Sequence, residues 1–427
     1  MSKCFGVTLG LNVNDTLDRL LTANTKIPLW QSLISGGLYL TGANIIQTAI
    51  GFGSNLLLLR LLTPEDFGGF AILLAKIGLI FSIFSFRTST LIISATDAEF
   101  SERRKDLYYT VALIELSLIF IVSFFVLWLG NEITYISILL LMMLGLRHWT
   151  ETNRAFFERS MHYKSLSVVE TIAKISGYTL CVGAAYLGWG IMALVLRELI
   201  TTVLGLLGQI WIKGITVRTI VCPQLRELKQ MSREASGIWL DNILQSIFTQ
   251  GTILVAGYIG GARVAGYFFQ AQLFAQIPHL LLSSVINRVV FNWFSRIEET
   301  KDRRFAKNHI LKLISLPILT FAIISSLLVD DVVPWLIGHE WTPVAPIYIG
   351  LFGFIIFLTP FEILRTYCIA NNNLLRLNIV RSSMLLFLLL PIANLYIDYL
   401  DLGVALAVAQ SLAYALAVTL LLIFTRR

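Results

Sequence analysis

Asn44-Ile-Ile-Gln-Thr-Ala-Ile-Gly-Phe-Gly-Ser54 returns later in the chain as Asn242-Ile-Leu-Gln-Ser-Ile-Phe-Thr-Gln-Gly-Thr252. The offset from 44 to 242 continues without a gap to Gly68 and Gly266, each just before an aromatic, apolar run. Polar residues in matching places inside apolar segments are harder to reach by chance than matching leucines. The chain therefore reads as two copies of one unit, and internal repeats of this kind mark transporters.

The composition names the solvent. Of 427 residues, 56% are hydrophobic and 14% charged, with a mean hydropathy of +0.76. Soluble domains carry roughly 25% charged residues, so the apolar surface here calls for lipid. A helix needs about 20 apolar residues to cross the hydrocarbon core. Twelve spans meet this, near 35–59, 70–95, 107–129, 133–157, 165–187, 190–212, 234–258, 264–294, 309–329, 343–370, 374–397 and 402–425. Backbone polar groups must be paired within the bilayer, so the spans are helices and the fold class is an all-α integral membrane protein.

Lysine and arginine orient the bundle. One set of loops carries Arg103, Arg104 and Lys105, then Arg154, Arg159 and Lys164, then Lys213, Arg218, Arg226, Lys229 and Arg233, then Arg296, Lys301, Arg303, Arg304 and Lys307. The opposite loops hold Arg60 and Arg263 beside Glu65, Asp66, Glu132, Asp330, Asp331, Glu340, Asp398 and Asp401. Both termini are expected in the cytoplasm, and the formal charge of +7 reads as topology, not as a nucleic-acid patch. Residues 1–34 read as a cytoplasmic tail, because Asn12, Asn14 and Asp15 interrupt any signal-peptide core. The basic, Pro223-containing segment 213–233 reads as a linker between an N-lobe (35–212) and a C-lobe (234–427). Six spans per lobe make the repeat parallel, with a cavity between the lobes.

Local signals add detail. Thr63 can cap a helix that opens on Pro64, Glu65 and Asp66. Pro278, Pro317, Pro360 and Pro391 lie in C-lobe spans, and the N-lobe spans have none, so bending is expected in the C-lobe. Cys4, Cys181, Cys222 and Cys368 are far apart, the histidines are dispersed, and there is no G-x-x-x-x-G-K-[ST] run. Neither a metal, a cofactor nor ATP hydrolysis is expected.

Charge inside a membrane is costly and marks function by default. Arg87 sits about eight residues from the inner end of the second span, with Lys76 eleven residues earlier and so on nearly the same helix face. The fourth span carries Arg147, Glu151, Arg154 and Glu158 as one stripe, with His148 and Asn153 beside it. Arg197 precedes Glu198 in the sixth. Glu170 and Lys174 read as a structural i, i+4 pair. Lys76, Arg288 and Arg381 can instead snorkel to an interface. The candidate cargo-binding cations are Arg87, Arg147, Arg197 and Lys76, since guanidinium forks suit phosphate oxygens. Asp241 and Glu362 are the candidates for ion coupling.

Three segments carry a family resemblance. LLLLRLLTPEDFGGF (56–70), AGYFFQAQLFAQIPHLLLSSVINRVVFNWFSRI (265–297) and WLIGHEWTPVAPIYIGL (335–351) resemble parts of the polysaccharide flippases. These move O-antigen and exopolysaccharide repeat units and belong to the multidrug/oligosaccharidyl-lipid/polysaccharide exporter superfamily. The resemblance runs from about residue 35 onward and has no invariant catalytic motif. It implies twelve helices in two lobes and an undecaprenyl-pyrophosphate-linked oligosaccharide as cargo. That cargo would pass from the cytoplasmic to the outer face of a bacterial inner membrane by alternating access. It further implies a polysaccharide polymerase and chain-length machinery as partners, and cationic cavity residues as a theme.

Two other readings compete. A multidrug antiporter of the same superfamily would favour acidic cavity residues. A membrane polysaccharide polymerase would need a large, basic outer loop, whereas the outer loops here are short and acidic.

Overall fold

The computed structural model describes residues 27–94, 100–159, 163–212, 220–284, 286, 290, 294, 300–371, 373–391 and 401–425. No strand occurs among them. The N-lobe comprises α1 (Ile27–Leu61), α2 (Pro64–Phe84), the short α3 (Thr88–Ser94), α4 (Glu102–Leu129), α5 (Tyr135–Arg159), α6 (Tyr163–Tyr186) and α7 (Ile191–Trp211). The C-lobe comprises α8 (Leu225–Ala275), α9 (Ile277–Ser284), α10 (Thr300–Ile337), α11 (Val344–Gly350), α12 (Phe352–Ala370), α13 (Leu374–Leu385) and α14 (Leu402–Phe424).

Nine helices among the described residues are long and apolar enough to cross a membrane, and α1 adds the apolar stretch Ile45–Leu61. α5 is not one of the nine, because Arg147, Glu151, Arg154 and Glu158 occupy its second half. Two boundaries differ from the sequence reading. α1 begins at Ile27, and α8 begins at Leu225, so the second half of the linker is already helix. Most of the 1–34 tail, Arg288 and the side chain of Asn44 lie outside the described residues.

The repeat is built into the backbone. α1 and α2 are separated at Leu62 and Thr63, and Thr63 caps α2. Its Oγ1 accepts from the Asp66 N–H at 3.3 Å, while Asp66 Oδ2 accepts from the Thr63 N–H at 3.1 Å. At the position 198 residues on, Gly261 breaks α8 with φ 78°, a left-handed conformation that favours glycine. Pro64 onward and Ala262 onward are thus matching helices. They cross where Gly68 meets Gly266. A Cβ on Gly68 would run into the carbonyl of Ala262, and one on Gly266 into that of Pro64. Glu65 and Arg263, also separated by 198, form an ion pair with each other.

Each lobe repeats one packing pattern. In the N-lobe α1 packs on α6, α6 and α5 on α7, and α4 on α5. In the C-lobe α8 packs on α13, α13 and α12 on α14, and α10 on α12. The repeated glutamines do matching work. Gln47 of α1 accepts from Lys174 Nζ at 2.7 Å, and Gln245 of α8 accepts from Arg381 Nη2 at 3.1 Å. In each lobe, then, the glutamine of the first span takes a cation from the fifth.

The lobes meet chiefly where α2 lies along α8. At the end of the seam where α2 begins, Trp341 is buried between them. It donates to Leu59 O at 2.8 Å and packs edge-on against Phe67 and Tyr267. Arg60 reaches the Trp335 and Leu336 carbonyls near the end of α10, where a cation suits the helix dipole. At the other end of α2, Ser246 Oγ is 2.5 Å from Ser82 Oγ, and Trp239 donates to Ile83 O at 3.0 Å and stacks on Phe86. Pro317 and Pro334 lie inside α10 and Pro360 inside α12.

Candidate functional site

A cavity of about 260 Å³ opens among α5, α6 and α7. Its lining includes Arg147, Arg154, Lys174 and Arg197 together with Glu151, Glu170 and Glu198. The sequence spacing explains the convergence. Arg147, Glu151 and Arg154 lie at i, i+4 and i+7 on one face of α5. Glu170 and Lys174 do the same on α6. Gly177 lets α6 and α7 approach so closely that a Cβ there would meet Thr201 and the Arg197 carbonyl. Lys174 lies eleven residues into α6, which places it about 16 Å from that helix start, near the middle of the candidate membrane span Ser165–Tyr186.

Most of these charges are matched. Arg147 Nε donates to Glu151 at 3.0 Å. Arg154 bonds Glu158 and Glu170, each at 2.9 Å. Arg197 holds its neighbour Glu198 through Nε at 3.0 Å and Nη2 at 2.8 Å, with its guanidinium 5.6 Å from the Tyr178 ring. Glu158, behind Arg154, brings carboxylates and cations level in number. Contact therefore distinguishes the cations, not count.

Lys174 differs from the rest. The i, i+4 pair with Glu170 read from the sequence does not form, because Arg154 takes Glu170 from the neighbouring helix. Lys174 turns instead to Gln47, which Thr171 orients by accepting from its Nε2 at 2.8 Å. An ammonium has three donors, and one is used here on a neutral acceptor. Lys174 is thus the cavity cation with no carboxylate in bonding distance among the described residues. Arg147 is the most open, its side chain 54% exposed. Thr150, Thr201, Thr202 and Gln209 complete a polar wall, and the buried Gln209 Oε1 has no hydrogen-bond partner among the described residues.

The other sequence candidates lie elsewhere. α2 ends at Phe84, so Arg87 does not share a helix face with Lys76. Arg87 sits in the break before α3 with φ 57°, exposed, and donates to Asn242 of the C-lobe. Glu151 of the cavity and Asp241 and Arg365 of the C-lobe are all within its electrostatic reach. Lys76 is outside the cavity lining, paired with Glu132 and 4.8 Å from the Tyr258 ring centroid. Asp241 is fully buried and clamped by Arg365 Nε at 2.7 Å and Arg381 Nε at 3.0 Å. Glu362 faces the same two guanidiniums, each at 3.4 Å. Arg365 was not singled out in the sequence; its place three residues after Glu362 was the available signal.

The fold is a two-lobed bundle of helices, nine of them among the described residues long and apolar enough to cross a membrane. Lipid II flippase MurJ in an inward closed conformation is similar, with TM-score 0.68 at 13% identity over 92% of this chain and 88% of that one. So is the inward-facing conformation of a multidrug resistance MATE family transporter of the MOP superfamily, with TM-score 0.64 at 14% identity, covering 89% and 94%. Residues 57–346 match the family described as polysaccharide biosynthesis protein, and the chain belongs to that family. It is 25% identical over 339 residues to the lipopolysaccharide biosynthesis protein WzxC of Escherichia coli (strain K12), covering 75% of this chain and 66% of the relative. Over 252 residues it is 22% identical to the succinoglycan biosynthesis transport protein ExoT of Rhizobium meliloti (strain 1021), covering 58% and 51%. The chain thus spans about two thirds and about half of the length of these two relatives.

Proposed function

We propose that the protein carries a lipid-linked oligosaccharide from the cytoplasmic to the outer face of a bacterial inner membrane by alternating access of its two lobes. The lipid is attached through pyrophosphate, and the saccharide is a repeat unit for surface polysaccharide. The observation that carries this reading is Lys174, an ammonium near the middle of a candidate membrane span with no carboxylate in contact, in a polar cavity shared with Arg147 and Arg197. A pyrophosphate would take Lys174 and the exposed edge of Arg147 first. The threonines and Gln209 suit sugar hydroxyls. Arg87, on the seam between Glu151 and the C-lobe, is placed to receive the anion as the lobes rock. Residues 35–212 and 234–427 are the moving bodies, and 213–233 joins them.

Deletion of the gene is expected to strand complete lipid-linked repeat units on the cytoplasmic face. Right-side-out and inverted vesicles, treated with an impermeant glycosidase, distinguish the faces. Units exposed on the outer face would instead indicate a polymerization defect and count against export by this protein. The same reading places both termini in the cytoplasm. Reporter fusions after Arg304 and at the C-terminus should read cytoplasmic, and one near Asp331 external. An external C-terminus would contradict the lobe arrangement.

A further inference from the structure

Glu115 lies in the middle of α4, thirteen residues and about 20 Å from the helix start, and its side chain is 1% exposed. It touches two groups on two other helices. Thr88 Oγ1, at the start of α3, donates to Glu115 Oε1 at 2.5 Å. His148 Nε2, on α5, is 3.1 Å from Glu115 Oε2, and both of those atoms are otherwise without a hydrogen-bond partner among the described residues. No arginine or lysine is paired with this carboxylate among the described residues.

The surrounding charges are engaged elsewhere. On α5, Arg147 and Glu151 pair with each other. On α2, Lys76 pairs with Glu132, and Phe81 meets the His148 ring edge-on. α3 has no titratable side chain in its sequence TSTLIIS. Arg87, just before Thr88, is turned to Asn242. On α4 itself, Tyr108 is engaged with Arg104, near the start of the helix. Asp241 and Glu362 differ from Glu115 in that each faces two guanidiniums, those of Arg365 and Arg381.

We propose that Glu115 and His148 form a proton-binding site whose occupancy controls the seam between the lobes. Ionised Glu115 holds Thr88 through a charge-assisted bond, which is stronger than the neutral bond left when a proton is added to the carboxylate. Thr88 anchors the left-handed turn at Arg87, a conformation that persists for a non-glycine residue only when its surroundings hold it. Adding a proton at Glu115 loosens that anchor, and with it the Arg87–Asn242 and Ser82–Ser246 contacts. α5 carries the link to the cavity, because His148 of the proton site is next to Arg147 of the cargo site. The proposal does not depend on which cargo is carried.

A disulfide reporter reads this directly in the full-length protein. Ser82→Cys and Ser246→Cys, whose hydroxyls are 2.5 Å apart, are combined with Cys4→Ser and Cys222→Ser; Cys181 and Cys368 are buried. Cross-linking in lipid vesicles is followed from neutral to acidic pH without cargo. Every cross-linking yield is divided by the reactivity of the same two cysteines at that pH, measured as their alkylation in the single-cysteine variants, which removes the thiols' own titration. Cross-linking of the parent should fall about fivefold on acidification, the difference between a charge-assisted and a neutral hydrogen bond. Glu115→Gln should be low at every pH. Thr88→Val, which leaves both titrating groups in place, should be low as well and covers the case in which Glu115→Gln fails to fold. A parent without pH dependence, or the parental profile retained in either Glu115→Gln or Thr88→Val, would overturn the proposal.

Discussion

Alanine at both Lys174 and Arg147 is expected to abolish surface polysaccharide while leaving the amount of protein in the membrane near normal. A hydrogen bond to a charged group contributes roughly 1.5–3 kcal/mol. Losing two such contacts to the phosphates should lower cargo affinity on the order of 10²- to 10⁴-fold. Lys174→Ala alone should give roughly the square root of that loss, and Lys174→Arg should keep a large part of function because charge and reach are retained. Folding should be spared, since these side chains border a cavity. Arg197→Ala is expected to be less informative, because its guanidinium already holds Glu198 through two nitrogens, and its loss would also free that carboxylate in the cavity. Normal glycan in the Lys174→Ala, Arg147→Ala double variant would remove the cavity from the transport path.

Arg381→Ala should have the opposite signature, loss of the protein itself. The Arg381 side chain is 1% exposed, shares Asp241 and Glu362 with Arg365, and lies 4.3 Å from the centroid of the Phe361 ring. Removing it leaves two buried carboxylates for one guanidinium and frees Gln245. Breaking a buried pair by deleting one partner costs roughly 3–5 kcal/mol, a large part of a total stability of about 5–15 kcal/mol. Membrane levels and the melting temperature in detergent should both fall. Asp241→Asn combined with Arg381→Gln should recover part of the loss, because both charges go together. An Arg381→Ala protein that accumulates and melts like the parent would show that the C-lobe cluster is not structural.

The helices, the parallel repeat and the cap at Thr63 were legible because each rests on local chemistry: an apolar stretch, a matched polar pair, a Thr-Pro-Glu-Asp start. Gln47 and Gln245 even kept equivalent roles in three dimensions. What escaped was partner choice between helices. Glu170 and Lys174 have the spacing of a pair, but spacing permits a contact without requiring it, and Arg154 on α5 offered Glu170 the better fork. Arg87 was read on the face of α2 because nothing in Phe84-Ser85-Phe86-Arg87 signals a helix end; the end is made by tertiary bonds, Arg87 to Asn242 and Thr88 to Glu115. Glu115 itself is a single carboxylate in an otherwise apolar run. Its partners lie 27 residues before it, at Thr88, and on another helix at His148, and no pattern within α4 points to them.

Translocation in a purified system tests the central proposal most directly. The full-length protein is reconstituted into vesicles with an undecaprenyl-pyrophosphate oligosaccharide in both leaflets, and the sugar is exposed to an external glycosidase. Without transport, only the outer-leaflet half is cleaved. With the parent protein, cleavage should proceed to the inner-leaflet pool. With the Lys174→Ala, Arg147→Ala double variant it should stop near half. Equal, near-complete cleavage with the parent and the double variant, or a parent protein that never passes half, would contradict the proposal that this cavity carries the lipid-linked anion across the membrane.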